Sequence, residues 1–471
     1  MIYWHSKRMY RLFYFAIILL FSIVSITRHS MDHQREWKRR SLQGLDLKMA
    51  SPPEGRHLFF VPDYHDGTKY DLSSSLVYMN QSVILSNYVG GIKFYFPKHV
   101  NETKEFDPKN PHPQIIVPEG RLWGEDEKLF VWNETILKRN YMRIRNYKPF
   151  QQSDCIVCMY LPMTCQYYAA FNKTTIFIPA HRFFLKQCSV NQYNHLIRVM
   201  TTFPNVHVVA SGIYDYHHIR YYTGMKVPII YSSSLFSYKQ PDTYRPTRSE
   251  YLVGPFKRDK VPFESELNAY CKNSSLKDCS FTTAKRVFGS GWTIEDLASF
   301  KAAILFPYAT LSYFMNDLFV ACVPIFVPSP RFLNELRLMT AVTATHFCHG
   351  SYQISSLSGA GASSYPYNPE SEDVKARAYW NQFSTFYSPA TTTFDSWEDL
   401  MDKLNTVNLT DKFWLRKKEN QEIMANNVRE WKKLFEVIDP KAEMPVSYED
   451  ARAKFGVDEF IGNEWVCLLG R

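Results

Sequence analysis

The chain has 471 residues, of which 45% are hydrophobic and 16% aromatic, so it can bury a large core and is not mainly disordered. Its length predicts two or three domains. The formal charge of +9 would suit an anionic ligand or an anionic surface, but no long run of Lys and Arg occurs outside residues 28–56, which argues against nucleic-acid binding.

The first predicted element is an apolar segment near the N-terminus. Residues 12–27 (LFYFAIILLFSIVSIT) carry no charge, and thin membranes of the early secretory pathway accept spans of this length. A cleaved signal peptide is the alternative, but the one small-x-small site, Ser25-Ile26-Thr27, directly precedes Arg28 and is a poor one. We therefore expect an uncleaved signal-anchor, with residues 1–11 in the cytoplasm and residues 28–56 forming a stem.

Six N-glycosylation sequons follow the apolar segment and predict the side of the membrane on which the body lies. Chance gives roughly two or three in a chain this long, so six is a modest enrichment. Their position after the anchor places the body in the lumen. The candidate asparagines are Asn80, Asn101, Asn133, Asn172, Asn273 and Asn408.

The nine cysteines agree with an oxidising compartment. Cys155 and Cys158 are close enough in sequence to form a local disulfide, and so are Cys271 and Cys279. A zinc site is the alternative interpretation of Cys155-x-x-Cys158, but a second pair at metal spacing is missing. The odd count leaves at least one thiol free or paired between chains.

Strands and helices alternate from residue 57 onward. Residues 57–62 (HLFFVP) read as a strand that leads into an Asp- and Gly-containing loop and a helix. Further apolar strands are predicted at 154–162, 174–181, 205–212 and 226–233. Helices are predicted between them at 163–171, 191–203 and 214–224. This pattern indicates a parallel sheet covered on both faces, and we assign residues 57–235 to a first domain.

The alternation lapses over a linker at 234–248 and restarts in a second domain at 249–438, before a C-terminal extension at 439–471. Strands are predicted at 250–256, 284–291 and 302–308, and helices at 263–272, 293–302, 396–407 and 411–438. Residues 315–330 supply a further helix and strand. Residues 351–371 form a loop long enough for a mobile lid or a binding loop. The predicted fold is α/β, with two Rossmann-like domains facing across a cleft.

Over residues 57 to 438 the order of elements resembles a GT-B glycosyltransferase. In such enzymes the first layer ends in a strand, helix and strand before a hinge, as residues 205–233 do here. The second opens with a strand and a basic loop, like YLVGPFKRDK, and later has an acidic residue that starts a helix ending A-x-G-V-P-V. Here that stretch reads NDLFVACVPIFV, with Cys322 where the pattern has Gly. Exostosin-like and fucosyltransferase-like groups share this element, but their fuller signatures are absent.

The resemblance implies that the first domain holds an acceptor and the second a nucleotide-sugar donor. Asn316 and Asp317 would face the donor, because a carboxylate at a helix N-terminus accepts hydroxyl hydrogen bonds while backbone N–H groups favour a diphosphate. A plain N-cap is the alternative. Lys257 and Arg258 would face the donor phosphates and neutralise the leaving group, with a solvated turn as the alternative.

The first strand-to-helix loop holds candidate catalytic residues, Asp63, His65 and Asp66. An inverting transferase needs a base that deprotonates the acceptor hydroxyl, and Asp or His can supply it. An Asx-type turn is the alternative reading of this loop. Rival candidates that also follow strands of the first layer are His181, His217 and His218.

Neither a metal nor a cofactor is expected, apart from the nucleotide sugar as co-substrate. The chain lacks D-x-D, and the acid-x-acid spacings at 125–127 and 370–372 do not follow apolar strands. Motifs of P-loop enzymes, serine hydrolases and zinc proteases are also missing. The sequence predicts a single-pass type II membrane glycosyltransferase of the Golgi or endoplasmic reticulum that acts on a glycan, glycoprotein or glycolipid. The alternative is a non-catalytic luminal carbohydrate-binding or receptor-like protein with a degenerate transferase fold.

Overall fold

The computed structural model describes residues 56–455 with internal gaps. The segments outside the described residues are 1–55, 63–65, 86–100, 108–109, 111, 119–121, 123–133, 160–161, 180–189, 234–243, 255–262, 274–278, 290–291, 308–311, 337–358, 370, 372, 443–446 and 456–471. No helix among the described residues is long and apolar enough to span a membrane. The predicted anchor and stem lie outside them and stay predictions.

The first domain is a seven-stranded sheet in which every pair of neighbouring strands is parallel. Its strands are β1 (Leu58–Val61), β2 (Ser82–Leu85), β3 (Asn101–Thr103), β4 (Gln114–Ile116), β5 (Cys155–Cys158), β6 (Thr174–Phe177) and β7 (Val206–Val208). The strand order is β3-β4-β2-β1-β5-β6-β7. Phe59 and Phe60 are both 0% exposed and face opposite sides of the sheet, which confirms a sheet covered on both faces.

Helices cover this sheet. They are α1 (Asp66–Tyr78), α2 (Glu134–Asn146), α3 (Lys148–Gln152), α4 (Pro162–Ala169), α5 (Val190–Thr202) and α6 (Ile213–Thr223). Gly224 adopts the left-handed conformation (φ 74°) and ends α6, as the sequence predicts. The predicted strand at 226–233 forms only an isolated parallel bridge between Ala210 and Ile229. Pro228 has no N–H to donate, which limits the ladder there.

The second domain is a five-stranded parallel sheet. Its strands are β8 (Tyr251–Gly254), β9 (Phe281–Thr282), β10 (Ala303–Leu305), β11 (Ile325–Pro328) and β12 (Thr392–Phe394), in the order β12-β11-β10-β8-β9. The helices from here to the end of the described chain are α7 (Phe263–Asn273), α8 (Ala284–Phe288), α9 (Ile294–Ala298), α10 (Tyr313–Val320), α11 (Pro330–Glu335), α12 (Val374–Asn381), α13 (Trp397–Thr406), α14 (Leu409–Phe435) and α15 (Tyr448–Phe455). Two parallel α/β sheets in series confirm the predicted fold class at this level.

Helix caps explain why the predicted helix at 293–302 forms and why the predicted strand at 284–291 does not. Thr293 and Asp296 form a capping box at the start of α9, where the sequence predicts a helix to begin. The predicted strand at 284–291 is wrong, because Thr283 accepts a hydrogen bond from the N–H of Arg286 and starts α8 instead. The strand of this unit is the two-residue β9 that precedes it.

The predicted Cys155–Cys158 disulfide is also wrong. Cys158 is bonded to Cys165 in α4, with the two Cα atoms 5.8 Å apart, and Cys155 is a buried free thiol. Side chains three apart in a strand face opposite sides of the sheet, and these two cysteines lie in different apolar clusters. The predicted Cys271–Cys279 disulfide is confirmed.

Segments late in the chain complete the first domain. Trp380 of α12 is packed on one face of the first sheet and Trp431 of α14 on the other. α15 contributes Tyr448 and Ala451 to the same face as Trp380. Residues that sequence order places in the second domain or in the C-terminal extension therefore contact the first domain.

The predicted loop at 351–371 is docked over its described part. We call residues 359–385 the strap, because they run along α6 from its C-terminal end to its N-terminal end. The N–H groups of Ala360 and Gly361 donate to the carbonyls of Tyr222 and Tyr221 at 3.2 and 3.0 Å. A Cβ on Gly359 would lie 2.2 Å from the Tyr221 carbonyl oxygen, so glycine permits this approach. The described part is therefore not a free lid.

Candidate functional site

Each sheet has a switch point between two neighbouring strands, from which the chain continues in opposite directions. In the first sheet β1 is followed by β2 on one side, whereas β5 adds on the other side. In the second sheet β8 is followed by β9 on one side and β10 on the other. In open α/β sheets, ligands bind beyond the carboxyl ends of the strands at such switch points. The loops that flank them follow β1, β5, β8 and β10.

The predicted catalytic residues fall at the first switch point. Asp63 and His65 belong to the loop between β1 and α1 and lie outside the described residues. Asp66 is the first residue of α1, but its side chain is not described. The topology thus puts this loop where a ligand is expected, while the roles of the three side chains stay predictions.

The predicted phosphate-binding residues fall at the second switch point. Lys257 and Arg258 follow β8, in the segment 255–262 outside the described residues. The opposite flank is the loop after β10, which leads into α10 through Ser312. Strand order makes β8 and β10 neighbours in the sheet, which the sequence reasoning did not predict.

Asn316 and Asp317 do not occupy the helix N-terminus, so that premise is wrong. Ser312 is the N-cap of α10, and the two residues lie in the second helical turn. Asn316 is 4% exposed, and its Nδ2 donates to the hydroxyl of Ser232 in the first domain at 2.9 Å. Asp317 is half-buried, and its carbonyl accepts from the N–H of Ala321. Capping therefore does not explain either residue.

Asn316 faces a pocket at the junction of the two domains. The pocket is small, with a cavity volume of about 30 Å³. Its lining consists of neutral side chains from both domains, namely Ser232, Ser233, Asn316, Phe319, Val320, Asn420, Ile423 and Met424. Asp317 is not part of this lining. Asn316 and Asp317 therefore point to different surroundings, because successive side chains of a helix diverge by about 100°.

The extended residues 229–233, which we call the junction segment, lie between the domains. Asn427 of α14 accepts from the N–H of Tyr231 at 2.9 Å and donates to its carbonyl at 2.8 Å. Asn426 donates to the carbonyl of Ile229 at 2.7 Å. In the loop after β7, a Cβ on Gly212 would lie 3.4 Å from the methyl group of Thr385. α14 therefore holds the domains together while the loop after β7 touches the strap.

The rival histidines differ in their surroundings. His217 is half-buried under the strap, with Nδ1 2.9 Å from the Tyr365 hydroxyl and its ring 4.0 Å from that of Phe383. Burial, and secondarily Arg220, lowers the pKa of His217. His218 is 1% exposed and stacks on Tyr214. His181 lies outside the described residues. His217 is therefore part of the contact between α6 and the strap.

Sequence reasoning missed the buried polar character of α1, the helix at the first switch point. Lys69 is 2% exposed, and lysine is rarely buried to this extent. The other buried polar residues of α1 are Thr68, Asp71, Ser73, Ser74 and Ser75. A helix this polar is expected on the surface, so its burial beside the cleft marks a functional candidate. The signal in the sequence is GTKYDLSSSL, which lacks an apolar face.

The sequons divide into two groups. Asn172, Asn273 and Asn408 are exposed, as a glycan requires. Asn80 is 5% exposed, and its Oδ1 accepts from Arg56 at 3.4 Å, so the fold leaves no room for a glycan there. The side chains of Asn101 and Asn133 lie outside what the structure describes. Asn80 is accordingly withdrawn as a glycosylation site.

Comparisons with known proteins do not assign a family. No family model matches the chain, and no curated protein matches it. Among solved structures, one match is a crystal structure described as the glycotransferase of kitacinnamycin. It is 9% identical, the match covers 80% of this chain and 99% of that one, and the TM-score is 0.35. A likeness this distant supports no inference about this chain, so its function has to be inferred from its own geometry.

Proposed function

We propose that this chain is a glycosyltransferase of the GT-B type, which moves a sugar from a nucleotide-sugar donor to a glycan, glycoprotein or glycolipid. The observation that carries the proposal is topological. Two parallel sheets each have a switch point, and in the sequence acidic residues follow β1 and basic residues follow β8, as such a transfer would need. Two such binding edges would suit a reaction with two substrates.

The roles follow from charge. Lys257 and Arg258 after β8 would neutralise the diphosphate that leaves with the nucleotide. Asp317, one helical turn inside α10, would accept hydrogen bonds from donor hydroxyls, with Asn316 beside it. Asp63, His65 or Asp66 after β1 would take the proton of the acceptor hydroxyl as it attacks the anomeric carbon.

A luminal location in the Golgi or endoplasmic reticulum is part of the proposal, with residues 12–27 as a type II anchor. The Cys158–Cys165 and Cys271–Cys279 disulfides support an oxidising compartment. The exposed sequons at Asn172, Asn273 and Asn408 support it as well. Endoglycosidase treatment of the expressed protein should lower its mass, and an unchanged mass would contradict luminal exposure.

We propose that the transfer needs no metal ion, because the basic loop would supply the charge that a cation supplies elsewhere. Activity should therefore survive EDTA. Loss of activity that Mn²⁺ restores would contradict this.

The second candidate is a non-catalytic luminal carbohydrate-binding or receptor-like protein, which the same fold would suit. A panel of nucleotide sugars with detection of the released nucleotide separates the two. The proposal predicts release from at least one donor, and a decrease of tenfold or more in Asp317→Asn if Asp317 binds donor hydroxyls through bonds worth about 1.5–3 kcal/mol. A folded wild type that releases no nucleotide from any donor favours the second candidate.

A further inference from the structure

Two consecutive serines at the end of the first domain contact helices on both sides of the junction. The N–H of Ser233 donates to Oδ1 of Asp71 in α1 at 3.0 Å. The hydroxyl of Ser232 accepts from Nδ2 of Asn316 in α10 at 2.9 Å. The junction segment thus connects the helix after the first switch point to the helix that leads away from the second.

The two ends of this connection are anchored differently. The N–H of Ser232 donates to the Ser211 carbonyl at 3.3 Å, and Asn427 brackets Tyr231 with two hydrogen bonds. These bonds involve the backbone of the junction segment and fix it to the first domain and to α14. The contact with α10 is made instead between two side chains, Ser232 and Asn316. Side chains can separate without any change in the backbone.

The contact is a buried hydrogen bond between neutral groups. Asn316 is 4% exposed, so its hydrogen bond is shielded from water, and both residues line the small junction pocket. A neutral hydrogen bond changes an equilibrium by a factor of about two to ten, which is strong enough to favour one orientation and weak enough to break.

We propose that Ser232 is a positioning residue, which sets the orientation of the second switch point relative to the first through Asn316. The inference rests on the proposed glycosyl transfer, because its consequence is the alignment of donor and acceptor. Ser232 acts through α10 and is not assigned a contact with the reacting atoms. Loss of its hydroxyl should therefore lower kcat more than it raises the donor KM.

The neighbouring serine provides a matched control. The Ser233 hydroxyl is buried and has no hydrogen-bond partner among the described residues, while the bond to Asp71 uses the backbone N–H. Ser232→Ala removes the contact with α10, whereas Ser233→Ala removes only a hydroxyl without a partner. Both substitutions delete one oxygen atom one residue apart.

The test uses the full chain with spectroscopic labels, carried by a non-canonical amino acid, at the exposed positions Thr201 and Lys285 of the two domains. Ser232→Ala should broaden the distribution of distances between the labels and lower kcat by about two- to tenfold, with the donor KM within about twofold. Ser233→Ala should match the wild type in both measurements. Equal behaviour of the two variants would overturn the positioning role.

A double variant tests whether the contact is the cause. If Ser232 acts through Asn316, Ser232→Ala combined with Asn316→Ala should broaden the distances no more than Asn316→Ala alone. Additive broadening would overturn the proposal. The distance measurement needs no activity, so a chain without transferase activity leaves this test intact and refutes only the alignment of donor and acceptor.

Discussion

The two domains complete their cores in different ways. Among the described residues, the second domain forms both of its apolar clusters from residues between 244 and 409. The first domain closes its two faces with Trp380 and Trp431, which are 0% and 1% exposed and come from the second half of the chain. Chain order is therefore a poor guide to the domain boundary. A fragment that ends near residue 235 lacks part of the first core, whereas the second core is contained in one stretch.

The largest expected effect on stability comes from removing Trp431, which lies late in the chain but packs in the core of the first domain. Trp431→Ala should lower the free energy of unfolding of the first domain by about 3–5 kcal/mol, since it leaves a large cavity. Trp414 on the same helix is 56% exposed, and Trp414→Ala should change the free energy of unfolding by less than about 0.5 kcal/mol. Native-state hydrogen exchange of amides in β1 and β10 reports the stability of the first and the second domain separately. Equal loss of protection in both sheets would show that Trp431 does not stabilise the first domain selectively.

The disulfides allow a second comparison of the two domains. Among the described residues each domain contains one disulfide, and the two close loops of similar length. Cys158–Cys165 and Cys271–Cys279 span 7 and 8 positions. Replacing both cysteines of either pair by alanine should cost the domain that holds it about 2–3 kcal/mol. The same exchange experiment reads each domain separately. A pair whose removal affects only the other domain would be inconsistent with the assigned connectivity.

The docking of the strap depends on a glycine at which a side chain would clash. Gly359→Ala should destabilise the first domain by about 1–3 kcal/mol, because its Cβ would meet backbone atoms of Tyr221 and Tyr222. Gly212→Ala is the control, since its backbone is extended (φ 178°) and its Cβ would make an ordinary contact with Thr385. Chemical denaturation measures both variants. Equal stability of the two would show that the strap is not held by this approach.

The smallest expected effect is a pH dependence of the same contact. Burial lowers the pKa of His217, so the unfolded state binds more protons between that lowered value and about 6.5. The contribution of His217 to stability is therefore complete above about pH 6.5 and is lost as the pH falls through the lowered pKa. His217→Gln should flatten the stability profile between pH 7.5 and 5.5. An unchanged slope would exclude His217 as its source.

Local sequence signals predicted helices, strands and one disulfide. The features that they missed depend on packing between distant segments. The apolar run Leu58–Val61, the Thr293 cap and the Cys271–Cys279 bridge depend on neighbours in sequence, so they could be read directly. Strand order depends on contacts between distant segments, and so do Trp380 and Trp431 in the first core. No sequence period records these contacts.

The candidate site shows the same division. The sequence predicted acidic residues after β1 and basic residues after β8, and the strand order shows that each of these strands flanks a switch point. The contact between Asn316 and Ser232 joins residues 84 positions apart, and local pattern could not predict it. The burial of Lys69 and Asp71 in a polar helix was hidden for the same reason, since tertiary packing decides it.

The most direct test of the central claim is hydrogen exchange of the full chain with and without a nucleoside diphosphate, using UDP, GDP and ADP in turn. If the second switch point binds the donor, one of these nucleotides should protect amides in residues 255–262 and 308–317, after β8 and β10. The loop after β12, which includes Asp395 and Ser396 and does not flank the switch point, should exchange as before. Protection at the amino ends of the strands, or no protection by any of the three in a folded chain, would contradict the claim that this cleft binds a nucleotide sugar.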